Sequence, residues 1–434
     1  MPEPFPKMPQ GKKTQPHPET GASPLPLFCL ILLLPLLLSV AWNVSDNKPV
    51  RESPSDYAAF PAIPFPGACD VVVDGGSIQS ALDSARARST VCVKNGVYRG
   101  KVNISKTGLV LKNYPGHKPA IIPGYGTGNR VEINAPETTV EGFEINGGYE
   151  GVKIYRPNTT IRNNYIHDNK FAGIIIVSTD NNLIVDNDIE LNGTCGRSCD
   201  VPGQERLSPK NVHGIYMSNY LCTGISNITI KRNVVNDHPG RGIQFNGADC
   251  DSLIEDILVE NNLLENNSWG MVMYYNVERA VVRNNTVVMQ EYPDTNESYH
   301  TFIGIYGSAN NIIKNNIFYS TRSDVSGPFI DDSQSTNNTF DYNIWKVNSD
   351  YWQYNGGRSD FTSKFSSASG WEKNGTVNTV DPRFVDVENG LYYLNSDSPA
   401  IDHGQDSECA STDMDLQVRL EDGNRCDMGM YEAN

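Results

Sequence analysis

Two short stretches place a chemically active side chain directly before a glycine. His213 precedes Gly214 in HGIYMSN, and Arg241 precedes Gly242 in RGIQFNG. A histidine can exchange a proton near neutral pH, and an arginine can hold a carboxylate through two parallel hydrogen bonds. Side by side, the two would supply the base and the carboxylate clamp that are needed to remove a ring proton next to a uronate carboxylate.

The position before the glycine decides whether these side chains can meet a ligand. Strict alternation along a strand would turn that position towards the core, and a guanidinium without a partner is costly to bury. We therefore predict that each glycine sits at a bend, and that His213 and Arg241 face outward on adjacent coils. The structural alternative is that His213 bonds a neighbouring turn and that Arg241 pairs with Asp237 or Asp249.

Other strands begin at a glycine in the same way, and the second and fourth residues after that glycine are expected to point outward. The glycines are Gly151, Gly173, Gly214, Gly242, Gly270 and Gly304. We assign catalysis to His213 and Arg241, with Tyr216 and His238 as candidate acids. Substrate binding is assigned to a polar and aromatic stripe, Lys153, Tyr155, Gln244, Asn246, Tyr274 and Tyr306. The stripe also includes Ser218, Val272 and Ser308.

These strands belong to an internal repeat of alternating apolar residues, an asparagine and more apolar residues. The aligned asparagines are Asn164, Asn187, Asn233, Asn262, Asn285, Asn316 and Asn343. The second interval is twice the first, which leaves open two coils or one coil with a long loop. Repeats of roughly 22–30 residues with three short strands predict an all-β fold, a parallel β-helix with a ladder of stacked asparagines. A β-propeller would need four strands per blade.

The segments outside the repeat predict the remaining organisation. Residues 1–24 are polar, 25–42 form a signal peptide or signal anchor, and 43–66 form a linker. The β-helix occupies 67–345, and 346–434 hold C-terminal coils and an irregular cap that plugs the open end. At the other end, GGSIQSALDSARA predicts a capping helix with Ser77 as its N-cap.

The apolar run at 25–42 indicates export. Ser39-Val40-Ala41 fits a cleavage site, whereas the length of the run also fits an uncleaved anchor. Either interpretation places the following residues outside the cytosol, at the cell surface or secreted. The cysteines agree with export, and sequence proximity favours the disulfides Cys69–Cys92, Cys195–Cys199, Cys222–Cys250 and Cys409–Cys426. A zinc site is the alternative, but the cysteine and histidine spacings do not support one.

The net charge limits the partners. The chain has 35 Lys+Arg against 51 Asp+Glu, a formal charge of −16, which argues against a nucleic-acid partner. We expect a monomer that binds polysaccharide. The cofactor is open: acidic clusters in ADCDSLIED and STDMDLQVRLEDG could bind calcium, although solvated acidic turns explain them as well. The membrane is a partner only if residues 25–42 are retained.

The stacked asparagine repeats, together with HGIYMSN…NITIKRNVVNDHPGRGIQFN, resemble the pectate-lyase-like right-handed parallel β-helix superfamily. The resemblance spans roughly residues 67–434. Within that superfamily, the chain is similar to the exported carbohydrate-active branch that includes alginate lyases, chondroitinase B and mannuronan epimerases. The resemblance implies an acidic polysaccharide substrate. The Asp-Pro-His-Glu motif of the epimerases is absent, and the calcium-plus-lysine site of chondroitinase B has no residue-by-residue match.

Two functions therefore compete. One is a lyase or epimerase that removes a proton next to a uronate carboxylate. The other is a non-catalytic glycan-binding or structural surface protein. A hydrolase requires converging carboxylates, and the outward stripe contains none, since acids such as Asp168 fall in turns. Turn chemistry likewise explains His167 and Asp168 better than catalysis does.

Overall fold

The computed structural model describes residues 68–122, 128–193, 211–291, 300–331, 334–348, 351–354, 357–360, 370–377, 380–420 and 425–433. The predicted parallel β-helix is confirmed. Stacked coils each contribute one short strand to each of three long sheets, here named sheets A, B and C. Regular helix is confined to α1 (Ile78–Ser84) and a 3-10 turn (Asp406–Glu408) among the described residues.

Sheet A is parallel throughout. In spatial order its strands are β1 (Val71–Val73), β2 (Thr90–Val93), β5 (Val110–Asn113), β8 (Thr139–Glu141), β11 (Thr160–Arg162), β14 (Leu183–Val185), β17 (Ile225–Lys231), β20 (Ile254–Glu260), β24 (Val281–Arg283), β27 (Ile312–Lys314) and β31 (Thr339–Asp341), with β23 (Val277–Glu278) beside β20.

Sheet B follows sheet A in every coil. Its strands are β3 (Val97–Arg99), β6 (Ala120–Ile122), β9 (Glu144–Asn146), β12 (Tyr165–His167), β15 (Asp188–Glu190), β18 (Val234–Asn236), β21 (Leu263–Glu265), β25 (Thr286–Val288), β28 (Ile317–Tyr319), β32 (Ile344–Lys346) and β35 (Thr376–Val377). The last strand lies within the segment expected to contain C-terminal coils.

Sheet C completes each coil. Its strands are β4 (Val102–Ile104), β7 (Val131–Ile133), β10 (Glu150–Ile154), β13 (Ala172–Val177), β16 (His213–Ser218), β19 (Arg241–Asn246), β22 (Trp269–Tyr274), β26 (His300–Tyr306), β30 (Phe329–Asp331) and β33 (Tyr351–Tyr354). Within sheet C, strands β10 to β26 have five to seven residues. Two further strands join its far end, β29 (Val325–Ser326) beside β26 and the antiparallel β34 (Gly357–Asp360). A separate hairpin pairs β36 (Phe384–Asp386) with β37 (Leu391–Leu394).

The interior consists of inward side chains stacked in register. Along sheet B, the fully buried Ile145, Ile166, Ile189, Val235 and Leu264 are successive partners. Each such side chain contributes about 1.5–3 kcal/mol when it is fully buried. The period-2 pattern in the sequence is therefore the pattern of a continuous core.

The predicted asparagine ladder is present in the turn between sheets A and B. Asn164 Nδ2 donates to Asn187 Oδ1 at 3.1 Å, and the bonding continues through every predicted member to Asn343. Asn187 bonds Asn233 directly at 3.0 Å, so the long interval is one coil with a long loop. Glu372 ends the ladder by accepting from Asn343 Nδ2 at 2.7 Å, and burial raises the pKa of its carboxyl to about 8.

The N-terminal cap also follows the prediction. Ser77 Oγ accepts from the backbone N of Ser80 at 3.2 Å, which caps α1. Ile78 and Leu82 are buried against the first coils, each with 2% exposure. The helix thereby covers apolar core that an open solenoid end would expose.

The C-terminal segment, residues 380–433, lies in a different place from the one that the sequence predicted. We expected it to plug the open end, but it packs along the outside of sheet B. Outward apolar residues of successive strands contact its methionines and aromatic rings; they include Val234, Leu263, Val288, Ile317 and Ile344. Asn261, Asn284 and Asn315 each donate to its backbone carbonyls, at 2.6, 2.9 and 3.1 Å. In these three Asn-Asn doublets, the second asparagine joins the ladder and the first binds this segment.

Three of the four predicted disulfides are present, Cys69–Cys92, Cys222–Cys250 and Cys409–Cys426. The Cys195–Cys199 pair, the apolar run at 25–42 and the linker at 43–66 lie outside the described residues. Within the described ranges, no helix has the length and apolar character needed to cross a membrane.

Candidate active site

The outer face of sheet C carries three columns of outward side chains, one member per coil. The first column runs Glu150, Ala172, His213, Arg241, Trp269 and Thr301. The second runs Lys153, Ile175, Tyr216, Gln244, Val272, Gly304 and Phe329. The third runs Val177, Ser218, Asn246, Tyr274, Tyr306 and Asp331.

The predicted bend at the glycine is present. A Cβ on Gly214 would lie 2.6 Å from Val235 Cγ1 and 3.1 Å from His238 Cε1, so this position faces the interior. The next residue, Ile215, is also part of the interior core. Two successive inward positions break the alternation, and the residue before the glycine therefore turns outward.

The strand at Gly304 was misaligned by two residues in the sequence interpretation. Gly304 pairs with Val272 and Tyr306 pairs with Tyr274, so Tyr306 belongs to the third column. Ser308 lies beyond the strand with 1% exposure, and its hydroxyl donates to Tyr306 O at 2.9 Å. Ser308 therefore leaves the outward stripe.

His213 faces outward, but its neighbours bury it. Its ring stacks on Tyr216 with centroids 4.4 Å apart and meets the Phe171 ring edge-on at 5.4 Å. Only 3% of the residue is exposed, which corrects our expectation of an exposed turn residue. Its Nδ1 atom has no hydrogen-bond partner within the described part of the chain. Burial first, and then the charges of Arg241 and His238, lower its pKa well below the usual range.

Arg241 lies directly beside His213, as predicted, because the two are Cα partners in neighbouring strands. Its guanidinium carbon lies 5.6 Å from the ring centroid of Trp269, the next member of the column. The sequence contained the signal for Trp269, since WGMVMY places it before Gly270 just as His213 and Arg241 precede their glycines.

Tyr216 is held in a short polar network. Asn246 Nδ2 donates to Tyr216 Oη at 2.7 Å and lies 3.3 Å from Asp249 Oδ2. Burial is the main cause that raises the pKa of Tyr216, so the phenol stays protonated near neutral pH. Beside it, Gln244 has 9% exposure, and no described residue hydrogen-bonds its Oε1. The network therefore leaves the Tyr216 hydroxyl hydrogen available for donation.

His238 does not face this site, which corrects its assignment as a candidate acid. It is a fully buried rung of a second ladder, between sheets B and C. Asn192 Nδ2 lies 3.2 Å from His238 Nε2, and His238 Nδ1 lies 2.8 Å from Asn267 Oδ1. Asn192 Nδ2 can only donate and Asn267 Oδ1 can only accept, so the ring proton is assigned to Nδ1, which donates to Asn267. Burial lowers its pKa to about 4.

The remaining predicted binding residues lie on either side of His213 and Arg241. At one end, Lys153 Nζ bonds Glu150 Oε1 at 3.0 Å and lies 5.6 Å from the Tyr155 ring. Burial opposes the charge of Lys153, but the bond to Glu150 outweighs it and raises the lysine pKa. At the other end, the rings of Tyr274 and Tyr306 are 5.4 Å apart.

Carboxylates do occur on this face, contrary to the sequence interpretation. Glu150 begins β10 and Asp331 ends β30, at opposite ends of the stripe with five strands between them. They do not converge on a shared point as a hydrolytic pair would. Phe171 and Phe329 were also missed, because neither occupies the second or fourth position after one of the six aligned glycines.

No metal centre forms in the described ranges, where no three His, Cys, Asp or Glu side chains are grouped to hold an ion. The acids of STDMD serve the C-terminal segment: Asp413 Oδ1 accepts from the backbone N of Asp415 and Gln417, at 2.9 and 2.8 Å. Asp249 of ADCD lies 3.3 Å from Asn246 Nδ2. Glu255 and Asp256 of the same stretch bind Arg279, at 2.6 and 2.8 Å, whereas Glu421 and Asp422 of the second cluster lie outside the described residues.

Comparison with known proteins identifies the architecture. A family model described as "Right handed beta helix region" matches residues 125–287. Among solved structures, pectate lyase Pel9A matches with a TM-score of 0.53 and 12% identity, over 84% of this chain and 96% of that one. The chain has the fold of a right-handed parallel β-helix, and its structure is similar to that of pectate lyase Pel9A. At this identity the likeness establishes the fold.

Other β-helices superpose less closely on this one. An alginate lyase from Paenibacillus has a TM-score of 0.35 and 12% identity, over 65% of this chain and 98% of that one. PfbA, a surface adhesin of Streptococcus pneumoniae, has a TM-score of 0.44 and 13% identity, over 63% and 75%. Curated protein sequences give no significant match.

Proposed function

We propose that this β-helix is an exported carbohydrate-active protein that acts on an acidic polysaccharide, as a lyase or an epimerase. The observation that supports this most strongly is the pairing of His213 with Arg241 on the outer face of sheet C. Next to this pair, His213 Nδ1 and Gln244 Oε1 lack hydrogen-bond partners within the described residues. Buried polar atoms are nearly always bonded, so a ligand hydroxyl, a carboxylate or water is expected there.

Each side chain has a role in the proposed reaction. Arg241 neutralises the substrate carboxylate and thereby acidifies the ring proton beside it. His213 is neutral near pH 7, because its pKa is lowered by burial and by Arg241, and its free ring nitrogen accepts that proton. Tyr216 donates its proton either to the leaving glycosidic oxygen or to the opposite face of the ring carbon. The first outcome breaks a carbon–oxygen bond and forms a double bond, whereas the second inverts the carbon.

The disulfides support a location of the protein outside the cytosol. Three disulfides within the described residues need an oxidising compartment to form and persist. We propose that the β-helix lies outside the cytosol, secreted or at the cell surface. Sequencing the N terminus of the mature protein separates a cleaved signal, with a start near Trp42, from a retained anchor, with an intact Met1.

One observation favours the non-catalytic alternative. His213 is almost fully buried between Phe171 and Tyr216, as a packing residue would be. A low histidine pKa also makes a weaker base. In this case the outer face of sheet C would bind a glycan without changing it.

The test is product formation by the full-length protein on a panel of acidic polysaccharides. Ultraviolet absorbance detects the unsaturated uronate of a lyase, and incorporation of solvent deuterium into the sugar detects an epimerase. His213→Asn and Arg241→Gln should each lower the rate at least about 100-fold. The matched control is His403→Asn, because His403 is exposed in the C-terminal segment. Wild-type activity in folded His213→Asn would refute the catalytic assignment.

A further inference from the structure

Among the three columns on the outer face of sheet C, cationic side chains occur in one half only. Strands β10 to β19 contribute Lys153, which is bonded to Glu150, and Arg241, together with the Tyr216 ring. The three columns continue through β22, β26 and β30, and none of the positions that those strands contribute is a lysine or an arginine. Three of these positions are aromatic in the second and third columns, and Asp331 adds a negative charge at the far end.

In the aromatic half, the rings of Trp269, Tyr306 and Phe329 pack together and form what we call the aromatic platform. The ring of Tyr306 lies 6.5 Å from Trp269, stacked at 24°, and 5.2 Å from Phe329. A Cβ on Gly304 would lie 2.9 Å from Trp269 Cζ3 and 3.3 Å from Tyr306 Cε2. The glycine is therefore the gap in the second column that lets these rings approach each other across the strand.

Such a platform selects the charge of the sugar that lies on it. The face of an aromatic ring carries negative charge density, so it packs well against the C–H face of a sugar and poorly against a carboxylate. Asp331 adds like-charge repulsion. A neutral sugar residue fits this half, whereas a uronate fits beside Arg241.

The coil spacing sets how a glycan chain meets the two halves. Neighbouring strands are about 4.8 Å apart, which is close to the length of one pyranose residue, so a chain that follows the helix axis places about one sugar on each coil. A homopolymer of uronates would then place a carboxylate over Trp269, Tyr306 and Phe329 in turn.

We infer that the substrate is a heteropolysaccharide in which uronate and neutral residues are interspersed, with the uronate at Arg241 and neutral residues on the aromatic platform. This inference rests on the proposed function. It adds the composition of the polymer, which that function leaves open.

The test is calorimetric titration of the full-length protein with polymers of defined composition. Deacylated gellan carries one uronate in every four sugars, polygalacturonate and alginate are made of uronates alone, and dextran is a neutral control. With its uronate at Arg241, gellan places neutral sugars on the next three coils, so we expect it to bind at least tenfold more tightly than the homopolymers at equal salt. Tyr306→Ala should remove most of this preference, Tyr306→Phe should keep it, and Tyr306→Lys should shift it towards the homopolymers.

The outcomes separate this inference from the function on which it rests. Equal or tighter binding of polygalacturonate or alginate, with no response to Tyr306→Ala, would overturn the heteropolymer inference and leave the acidic-glycan function standing. Binding of dextran as tight as that of every acidic polymer would overturn the proposed function itself. Melting temperatures of the three Tyr306 variants control for loss of folding.

Discussion

The outer faces of sheets B and C both carry apolar side chains at positions that strand alternation turns outward, but they differ in how far those side chains are covered. On sheet B, Leu263, Ile317 and Ile344 are fully buried because residues 380–433 cover them. On sheet C, Tyr274 and Tyr306 keep part of their surface exposed. Among the described residues, the chain covers one face with its own C-terminal segment and leaves aromatic rings of the other face partly exposed.

The histidines on the two outer faces differ in their hydrogen bonding in the same way as the apolar side chains differ in their burial. On sheet B, His167 lies 2.9 Å from Asp168 Oδ2 and 3.4 Å from Glu144 Oε1. Burial works against the charged ring, but these two carboxylates outweigh it and raise the pKa of His167 to about 9. On sheet C, His213 is neutral and its Nδ1 is unbonded within the described residues. The ring of His167 is therefore fully engaged in structural contacts, whereas the unbonded ring nitrogen of His213 lies at the candidate site.

The largest expected effect concerns the outer face of sheet B, which the C-terminal segment covers. Ile317→Ala removes a fully buried side chain that contacts the C-terminal segment. We expect it to lower the free energy of unfolding by about 2–5 kcal/mol, with glycan affinity unchanged in the folded fraction. Denaturant titration measures the first and calorimetry the second. Val385→Ala, at a site with 50% exposure on the same segment, should change stability by less than about 0.5 kcal/mol.

The next effect concerns the ladder between the two sheets. The folded pKa of His238, about 4, is below its unfolded value of 6.5. The folded protein therefore favours the neutral ring, and this stability is present above pH 6.5 and lost as pH falls towards 4. A shift of this size corresponds to about 3 kcal/mol.

His238→Asn restores a uniform asparagine ladder and should remove that part of the acid sensitivity. Unfolding measured at pH 7 and at pH 4.5 checks it. The lowered pKa of His213 acts in the same direction, so a smaller acid sensitivity should remain. An unchanged difference between the two pH values would show that the ladder histidine does not control acid stability.

A smaller effect tests the uncovered face. Tyr274→Ala removes a partly exposed ring beside Tyr306. An aromatic contact of this kind contributes about 0.5–1.5 kcal/mol, so we expect glycan binding that is weaker by up to about tenfold, with little change in stability. Tyr274→Phe should bind like the wild type. A large loss of stability with unchanged binding would assign Tyr274 to structure, as on sheet B.

The smallest effect concerns the hydrogen bond that orients Tyr216. Asn246→Ala removes the donor 2.7 Å from Tyr216 Oη. A single hydrogen bond contributes about 1 kcal/mol, so we expect a several-fold lower rate. In a double-mutant cycle with Tyr216→Phe, the two effects should not add. Additive effects would mean that Asn246 acts independently of Tyr216.

The sequence determines the fold more completely than the site. Period-2 apolar residues and recurring asparagines predicted the coils and the ladder, because both depend on contacts that repeat with the coil. The N-cap serine predicted α1, and sequence proximity predicted three disulfides. The outward direction of His213 and Arg241 followed from the cost of burying a guanidinium. The sequence could not show that Phe171 and Tyr216 bury His213, because those contacts depend on side-chain packing between coils.

Two errors have a common physical origin. His238 and Asn267 occupy equivalent ladder positions, and only the stacking of coils shows that a histidine has replaced an asparagine there. Likewise, the strands VVN, LLE and IFY of sheet B are apolar at inward and outward positions alike. That pattern indicates a covered outer face, and the covering segment lies more than a hundred residues away from Leu263.

The most direct measurement is a crystal structure of the His213→Asn variant with an acidic oligosaccharide that spans several coils. The substitution should slow turnover while keeping Arg241 in place. The account predicts the sugar chain on the outer face of sheet C, with a uronate carboxylate on the Arg241 guanidinium and a neutral ring against Tyr306. A ligand bound on another face of the solenoid, or one on sheet C with its carboxylates away from Arg241, would contradict it.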